Sequence, residues 1–190
     1  MSAFPELHIR LPAWVDDEID TAATYPTDEA RMALAIALAH ANVVHETGGP
    51  FGAATFEATT GRLISVGVNM VVPGRNAMLH AEVVAFMMAQ ARVGSFSLGA
   101  EGLPAHELFT SCEPCAMCLG ATHWSGVRRV VWSATREDAA ELFFDEGPVF
   151  AASYEYLRER GIVFEGGVMR SEGRAVLVLY RERGGPVYNG

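Results

Sequence analysis

Apolar and polar positions along the chain follow two spacings, one typical of helices and one typical of strands. A helix is predicted from Thr27, a capping hydroxyl followed by two acids, to about Glu46. The break GGP then precedes two short apolar segments, FGAATFE and RLISVGVN, which are joined by the turn residues TTG and predict a hairpin. A second helix is expected from near Leu79 to about Val93.

The C-terminal half continues this alternation. The segments HELFTS, VRRVVWSA and GIVFEGGVM predict strands. Helices are expected from Pro114 to near Gly126 and over 137–142 and 153–160, whereas RAVLVLYRER is compatible with a helix or a strand. Alternating helices and strands favour a parallel or mixed sheet with helices on both faces, and the initial hairpin adds one antiparallel edge. The expected fold class is therefore α/β.

The two ends of the chain lack these spacings. Residues 1–25, which include Pro5 and Pro12, are interpreted as an irregular lead-in, and residues 184–190 as a loose tail. The length of 190 residues and an apolar fraction of 50% fit a single domain, 1–190, with a core of its own.

The charge of the chain limits its partners. With 14 basic and 23 acidic residues, the net charge is −9, which repels phosphate backbones and disfavours a nucleic-acid partner. Neither a signal peptide nor a membrane span is expected, because the most apolar window, 32–44, is too short for a bilayer. We therefore expect a cytoplasmic protein, in which clustered cysteines indicate a metal or catalysis more than disulfides.

All three cysteines of the chain lie in the stretch CEPCAMC. At the start of a helix, the spacing of Cys115 and Cys118 points both thiols the same way, and the helix N-terminus favours thiolates. His80, at another helix start, completes three ligands, which leaves the fourth position of a zinc ion open for water. Cys112 is the only local candidate for a fourth ligand, but its spacing makes a closed structural site awkward, and we interpret it as a buried thiol.

Glu82 gains a role from this arrangement. Two residues from His80, it can lie beside the metal without binding it, take a proton from water and deliver that proton to a substrate. The ordered pair H-x-E and P-C-x-x-C, here His80-Ala81-Glu82 and Pro114 to Cys118, is the signature of zinc deaminases, which replace the amino group of a base using water. The sequence thus predicts a catalytic zinc.

With these motifs, the chain resembles the cytidine deaminase superfamily and, within it, the bacterial guanine deaminases. The resemblance runs from about Pro26 to the tail and is carried by GGPFGA, VPGRNAMLHAEVVA, TSCEPCAMCLGATHWSGV, FDEGP and PVYN. It implies a three-layer α/β/α fold with a five-stranded mixed sheet between helices, one zinc ion per subunit and a homodimer. It also implies hydrolysis of a small nucleobase in purine catabolism, with guanine converted to xanthine and ammonia.

The same resemblance implies roles for individual residues. His80, Cys115 and Cys118 would bind zinc, and Glu82 and Glu146 would be the catalytic proton carriers. The residues implied to contact the purine are Asn69, Ala81 through its backbone N–H, Phe51 and Phe144. The tail 184–190 would be a lid over the site.

Without the resemblance, several of these residues have simpler interpretations. Asn69 follows a strand and is typical of a turn, Phe51 is typical of a core, and Glu146 is typical of a solvated loop. The tail is equally compatible with a frayed end. One position also departs from the resembled pattern, because Phe143 precedes FDEGP where a glycine is expected.

Four functions follow from these observations. The leading hypothesis is a zinc-dependent guanine deaminase. The second is a deaminase of another small ring, such as cytosine, guanosine or another nucleoside, or an aminotriazine. The third, editing of tRNA or a single strand, needs a basic groove, which the net charge argues against. The fourth, a non-enzymatic zinc module, would close the fourth metal position. Replacing Glu82 by Gln should keep zinc but stop turnover under the first three hypotheses only.

Overall fold

The computed structural model describes residues 4–189, so residues 1–3 and 190 of the predicted domain 1–190 lie outside the described part. The strands are β1 (Gly52–Glu57), β2 (Leu63–Val68), β3 (His106–Cys112), β4 (Arg129–Ala134) and β5 (Val163–Gly166). The helices are α1 (Ala13–Glu18), α2 (Asp28–Val44), α3 (Val71–Gly74), α4 (Ala81–Val93), α5 (Ala116–Ser125), α6 (Arg136–Ala140), α7 (Ala151–Arg158) and α8 (Arg170–Glu182).

The five strands form one mixed sheet in the order β2-β1-β3-β4-β5. Strand β1 is antiparallel to both β2 and β3, whereas β3, β4 and β5 are parallel to one another. The connection between β3 and β4 contains α5, and the connection between β4 and β5 contains α6 and α7. The predicted mixed sheet with an antiparallel edge is therefore confirmed.

Adjacent residues of the central strands point to opposite faces of the sheet, as the period of two requires. Phe109 and Val131 pack in an apolar cluster with residues of α2 and α8. Their neighbours Leu108 and Val130 pack in a second cluster with residues of α4, α5 and α7. Both faces of the sheet are thus covered by helices, which confirms the predicted three-layer α/β/α class.

Local sequence signals account for several element boundaries. The Thr27 hydroxyl accepts the Ala30 N–H at 3.2 Å and caps α2, as predicted. The open alternative for RAVLVLYRER is decided in favour of a helix, α8. Pro114 lies before the N-cap residue of α5 and not in its first turn, so that part of the prediction was wrong. Helix ends are commonly misplaced by a residue or two when they are read from sequence.

The irregular lead-in predicted for residues 1–25 was wrong for one segment. Residues 13–18 form α1, in which Trp14 and Val15 are buried against the core. The Trp14 indole N–H donates to the Thr47 hydroxyl at 2.9 Å, so contacts distant in sequence fix this short helix. Among the described residues, none of the helices combines the length and the apolar character that crossing a bilayer requires.

A buried ion network lies at the N-terminal end of β3. The Glu107 carboxylate pairs with Arg31 and, at 3.1 Å, with the Arg129 guanidinium. Both Glu107 and Arg31 are almost fully buried, so each charge depends on its partner. The opposite end of the strand, at Cys112, leads into the candidate active site.

Candidate active site

Two helix N-termini meet at the C-terminal end of β3. His80 is the N-cap residue of α4 and Cys115 is the N-cap residue of α5, and both have extended backbone dihedral angles. Neither side chain is used to cap its own helix, so each is available for another contact. Cys118 lies in the first turn of α5, on the side that faces His80. Imidazole and thiol groups are not among the preferred N-cap side chains, which agrees with a different use for these two side chains.

The three predicted metal ligands come together within the part of the chain that the structure describes. The His80 Nδ1 atom lies 3.5 Å from the Cys115 Sγ atom and 3.6 Å from the Cys118 Sγ atom. All three donor atoms lie within 4.8 Å of one another. Tetrahedral nitrogen and sulfur ligands at ordinary zinc distances are roughly 3.5 Å apart, so this donor set fits zinc without rearrangement.

The two ligand thiols differ in their pKa. A hydrogen bond from the Cys118 thiol, together with one from His80, lowers the pKa of Cys115 to about 4. The same contact with Cys115, together with burial, raises the pKa of Cys118 well above its usual value. A thiolate at Cys115 is the form in which cysteine binds a cation.

Cys112 stands apart from this donor set. Its thiol is buried and faces the Thr135 carbonyl oxygen at 3.5 Å. Burial, reinforced by the charge of Glu146, raises the pKa of Cys112 well above its usual value. These contacts agree with the interpretation of Cys112 as a buried thiol.

Glu82 is buried beside the three predicted metal ligands. It is the second residue of α4, and its Oε2 atom accepts from the Cys118 thiol at 3.3 Å. Burial is the largest cause that raises the pKa of Glu82, and the charge of Cys115 adds to it. A raised pKa moves a carboxyl group toward the range that suits a general acid–base group.

An inner cavity of about 30 Å³ lies next to these groups. Four other residues named from the sequence line it: Phe51, Asn69, Phe144 and Glu146. The Phe51 and Phe144 rings meet edge to face at 5.1 Å between centroids. Burial and the charges of Cys115 and Glu82 raise the pKa of Glu146 to about 8.

Asn69 lines the cavity, whereas Ala81 is not one of the residues that line it. The Asn69 Oδ1 atom accepts the Val71 N–H at 3.2 Å, so this residue forms a turn and also lines the cavity. Ala81 is fully buried and opens α4. As the first residue of a helix, its N–H has no partner within that helix and can donate elsewhere.

Three further residues that line the inner cavity were missed from the sequence: Glu113, Asp145 and Tyr188. The Tyr188 ring meets Phe144 at 5.4 Å between centroids, and its hydroxyl lies so close to Gly49 that a methyl group there would be 1.8 Å from it. The tail motif PVYN was the one available signal for Tyr188. His123 and Trp124 line a different groove, between α5 and α7.

The tail is hydrogen-bonded, through Asn189, to the loop that precedes α7. The Asn189 side-chain amide donates to the Phe143 carbonyl at 3.0 Å, and its oxygen accepts the Asp145 N–H at 2.9 Å. Phe143 has a φ of 69°, in the left-handed region that glycine adopts without strain. This conformation explains why a glycine is expected before FDEGP. A second, outer cavity of about 410 Å³ shares His80, Glu146 and Tyr188 with the inner one.

Comparison with known proteins gives two kinds of similarity. Residues 26–134 match the model of the cytidine and deoxycytidylate deaminase zinc-binding region. The chain is also 38% identical over 136 residues to the guanine deaminase of Bacillus subtilis (strain 168), an alignment that covers 72% of this chain and 83% of that protein.

Solved structures are similar over nearly the whole chain. A structure of guanine deaminase from Nitrosomonas europaea is 42% identical, with a TM-score of 0.89 and coverage of 93% of this chain and 97% of that one. A crystal structure of the protein NE0047 in complex with 2,6-diaminopurine is 43% identical, with a TM-score of 0.90 and coverage of 96% of each chain.

Proposed function

The chain belongs to the cytidine and deoxycytidylate deaminase family, and from this premise we propose that it hydrolyses guanine to xanthine and ammonia. The observation that carries the proposal is a three-donor metal set with a buried carboxyl group 3.3 Å from one of its ligands. Hydrolytic deamination needs these two parts. The choice of guanine is supported by the relatives, which are guanine deaminases or bind 2,6-diaminopurine.

His80, Cys115 and Cys118 would hold one zinc ion in each subunit. Bound there, zinc supplies a water molecule whose pKa is lowered toward neutrality, which makes it a nucleophile at neutral pH. In the proposed roles, Glu82 takes a proton from the attacking water and passes it to N3 of the purine. A bond forms from the water oxygen to C2, and the bond from C2 to the amino nitrogen breaks. Glu82 or Glu146 transfers the remaining hydroxyl proton to that nitrogen, which leaves as ammonia while the new bond from C2 to oxygen becomes a carbonyl.

Three residues that line the cavity, Asn69, Phe51 and Phe144, would hold the base together with the backbone of Ala81. Asn69, buried at the end of β2, offers its amide to a ring edge, and the Ala81 N–H points out of the start of α4. Phe51 and Phe144 offer flat apolar surfaces for the ring. An apolar slot with a few polar groups is typical of sites for small planar ligands.

The tail 184–190 would act as a lid over this site. Its support is the pair of hydrogen bonds from Asn189 to the loop at Phe143 and Asp145, and the contact of Tyr188 with Phe144. Tyr188 lines both the inner cavity and the outer one, so this lid would lie between the site and solvent. The single domain 1–190 would comprise the sheet, the site and this lid.

The protein would work as a cytoplasmic homodimer. Three buried free thiols support a reducing compartment, because the proposed ligands must stay unoxidised.

A groove of about 490 Å³ between α5 and α7 exposes apolar rings that a second copy would cover, with Trp124 at 77% and Phe150 at 64% exposure. Light scattering should give twice the chain mass of 20.5 kDa, and Trp124→Glu should reduce it to one chain. A monomeric wild type contradicts the dimer.

The proposed function is tested by comparing wild type with Glu82→Gln. Conversion of guanine to xanthine is followed by absorbance, and zinc is measured in the same samples. We expect Glu82→Gln to keep one zinc per chain and to lose turnover by roughly 10²- to 10⁴-fold, because general acid–base groups contribute about that much. His80→Ala should lose both zinc and turnover. Full activity of zinc-loaded Glu82→Gln would refute the proposed mechanism.

A further inference from the structure

A buried carboxylate lies between β3 and the metal-binding turn, and the proposed reaction gives it no role. Glu113 follows Cys112 and precedes Pro114 and Cys115, and it lines the inner cavity. Its side chain is 9% exposed, so its charge needs partners within the protein. Its backbone N–H donates to the Ala134 carbonyl at 2.8 Å, which fixes its position beside β4.

The partners of this carboxylate come from two helices. The Tyr154 hydroxyl, on α7, donates to the Glu113 Oε1 atom at 2.8 Å. Arg136, the first residue of α6, lies with its Nε atom 3.1 Å from the same oxygen, and its backbone N–H faces Oε2 at 3.4 Å. Glu113 therefore joins the end of β3 to both α6 and α7.

Helices α6 and α7 flank the loop 141–150, which carries Glu146. Within this loop, the Glu146 carbonyl accepts the Ala116 N–H at 2.9 Å, directly after Cys115. The Arg136 guanidinium also reaches the Val149 carbonyl, at 3.5 Å. The loop is thus tied to the metal-binding turn directly at Glu146, and its C-terminal side is tied indirectly, because Arg136 contacts both the Val149 carbonyl and the Glu113 carboxylate.

We propose that Glu113 is a positioning residue, which holds the Glu146 loop against the turn that carries Cys115. It acts through its contacts with Tyr154 and Arg136. This inference rests on the proposed function in one respect, because it takes Glu146 to be a proton carrier. A displacement of about 1 Å in such a group can cost roughly 100-fold in rate, so a residue behind the site can control turnover.

A purely structural role predicts a different outcome. If Glu113 only stabilised the fold, its loss would lower stability as the loss of any buried, paired carboxylate does. Glu107 is the matched control, since it is a buried glutamate of the same β3 segment, paired with arginines at the end far from the site. Glu107→Gln should lower the thermal midpoint but leave kcat for guanine unchanged in the protein that remains folded.

The experiment compares Glu113→Gln, Glu113→Ala and Tyr154→Phe with Glu107→Gln. Zinc content, thermal midpoint, kcat and KM are measured for each. We expect kcat to fall roughly 10- to 100-fold in Glu113→Ala. The decrease should be smaller in Glu113→Gln, because glutamine keeps one acceptor for Tyr154. In both variants KM should change less than kcat. Zinc should stay bound. Tyr154→Phe should also lower kcat, and its effect should not add fully to that of Glu113→Ala, because both changes remove the contact between Tyr154 and Glu113.

Amide hydrogen exchange gives a readout that does not depend on activity. The Ala116 N–H and the loop 141–150 should exchange faster in Glu113→Gln than in Glu107→Gln. If wild type releases no ammonia from guanine, the proposed function is wrong. The positioning role of Glu113 is then tested by amide hydrogen exchange alone. Wild-type kcat in Glu113→Gln, or equal loop exchange in the two glutamine variants, would overturn the inference. If Glu113→Ala does not fold, Tyr154→Phe provides the same comparison.

Discussion

Phe143 offers a test of how the backbone of the Glu146 loop is held. Its φ of 69° lies in the left-handed region, and its ring is 75% exposed. A residue with a Cβ atom pays roughly 1–2 kcal/mol there, whereas glycine does not. Glycine loses more conformational freedom on folding than alanine does, which offsets about 0.5–1 kcal/mol of this advantage of glycine. We therefore expect Phe143→Gly to be more stable than Phe143→Ala by about 0.5–1 kcal/mol.

The comparison isolates the backbone because both variants remove the ring. Urea unfolding of the two variants measures the difference, which should appear as a midpoint roughly 0.3–0.5 M higher for glycine at an ordinary denaturant slope. The Phe143 carbonyl accepts from Asn189, so glycine should also keep the tail in place. Equal stability of the two variants, or a more stable alanine variant, would show that the left-handed conformation does not determine this position.

Two other predictions concern the tail and the response to acid. The atoms nearest to a methyl group at Gly49 would belong to the Tyr188 side chain, the first at 1.8 Å, so Gly49→Ala should speed carboxypeptidase digestion of the tail while changing stability by less than about 1 kcal/mol. Gly48→Ala would meet the Asn69 backbone and should cost about 1–3 kcal/mol; equal losses in both variants would contradict this. The pKa of Asp138 is lowered from 3.8 to about 2, chiefly by its hydrogen bond with Arg170. Because the folded pKa is depressed, this stabilisation is complete above about pH 4 and is lost as pH falls through about 2. Asp138→Asn should lower the free energy of unfolding by about 1–2 kcal/mol at pH 7, after allowance for the exposed arginine, and by nearly nothing at pH 2. An equal decrease at both pH values would refute this prediction.

Local sequence signals were sufficient for most of the fold. The helix cap at Thr27, the hairpin around TTG and the alternation of helices and strands are short-range features, and the sheet and layers follow from them. The predicted metal ligands could be identified from the sequence for a related reason. His80 and Cys115 each lie at a helix N-cap, and a motif of fixed spacing marks both positions.

The features that escaped prediction depend on contacts between distant residues. Helix α1 is fixed by Trp14 and Thr47, which are 33 residues apart. The contact between Glu113 and Tyr154 spans 41 residues, and no pattern in the sequence links the two. Phe143 was identified as a departure from a pattern, but its left-handed conformation became visible only in the backbone. The roles assigned to Asn69, Ala81, Phe51, Phe144 and Glu146 remain predictions.

Ammonia release by the zinc-loaded protein tests the central claim most directly. The panel is guanine, guanosine, cytosine, cytidine, adenine and a diaminotriazine, each at the same concentration. We predict rapid release from guanine and none above background from the other five. Release from a different ring, with guanine silent, would keep the zinc chemistry but contradict the substrate. Silence on all six rings, with zinc bound, would contradict the proposed deamination of guanine.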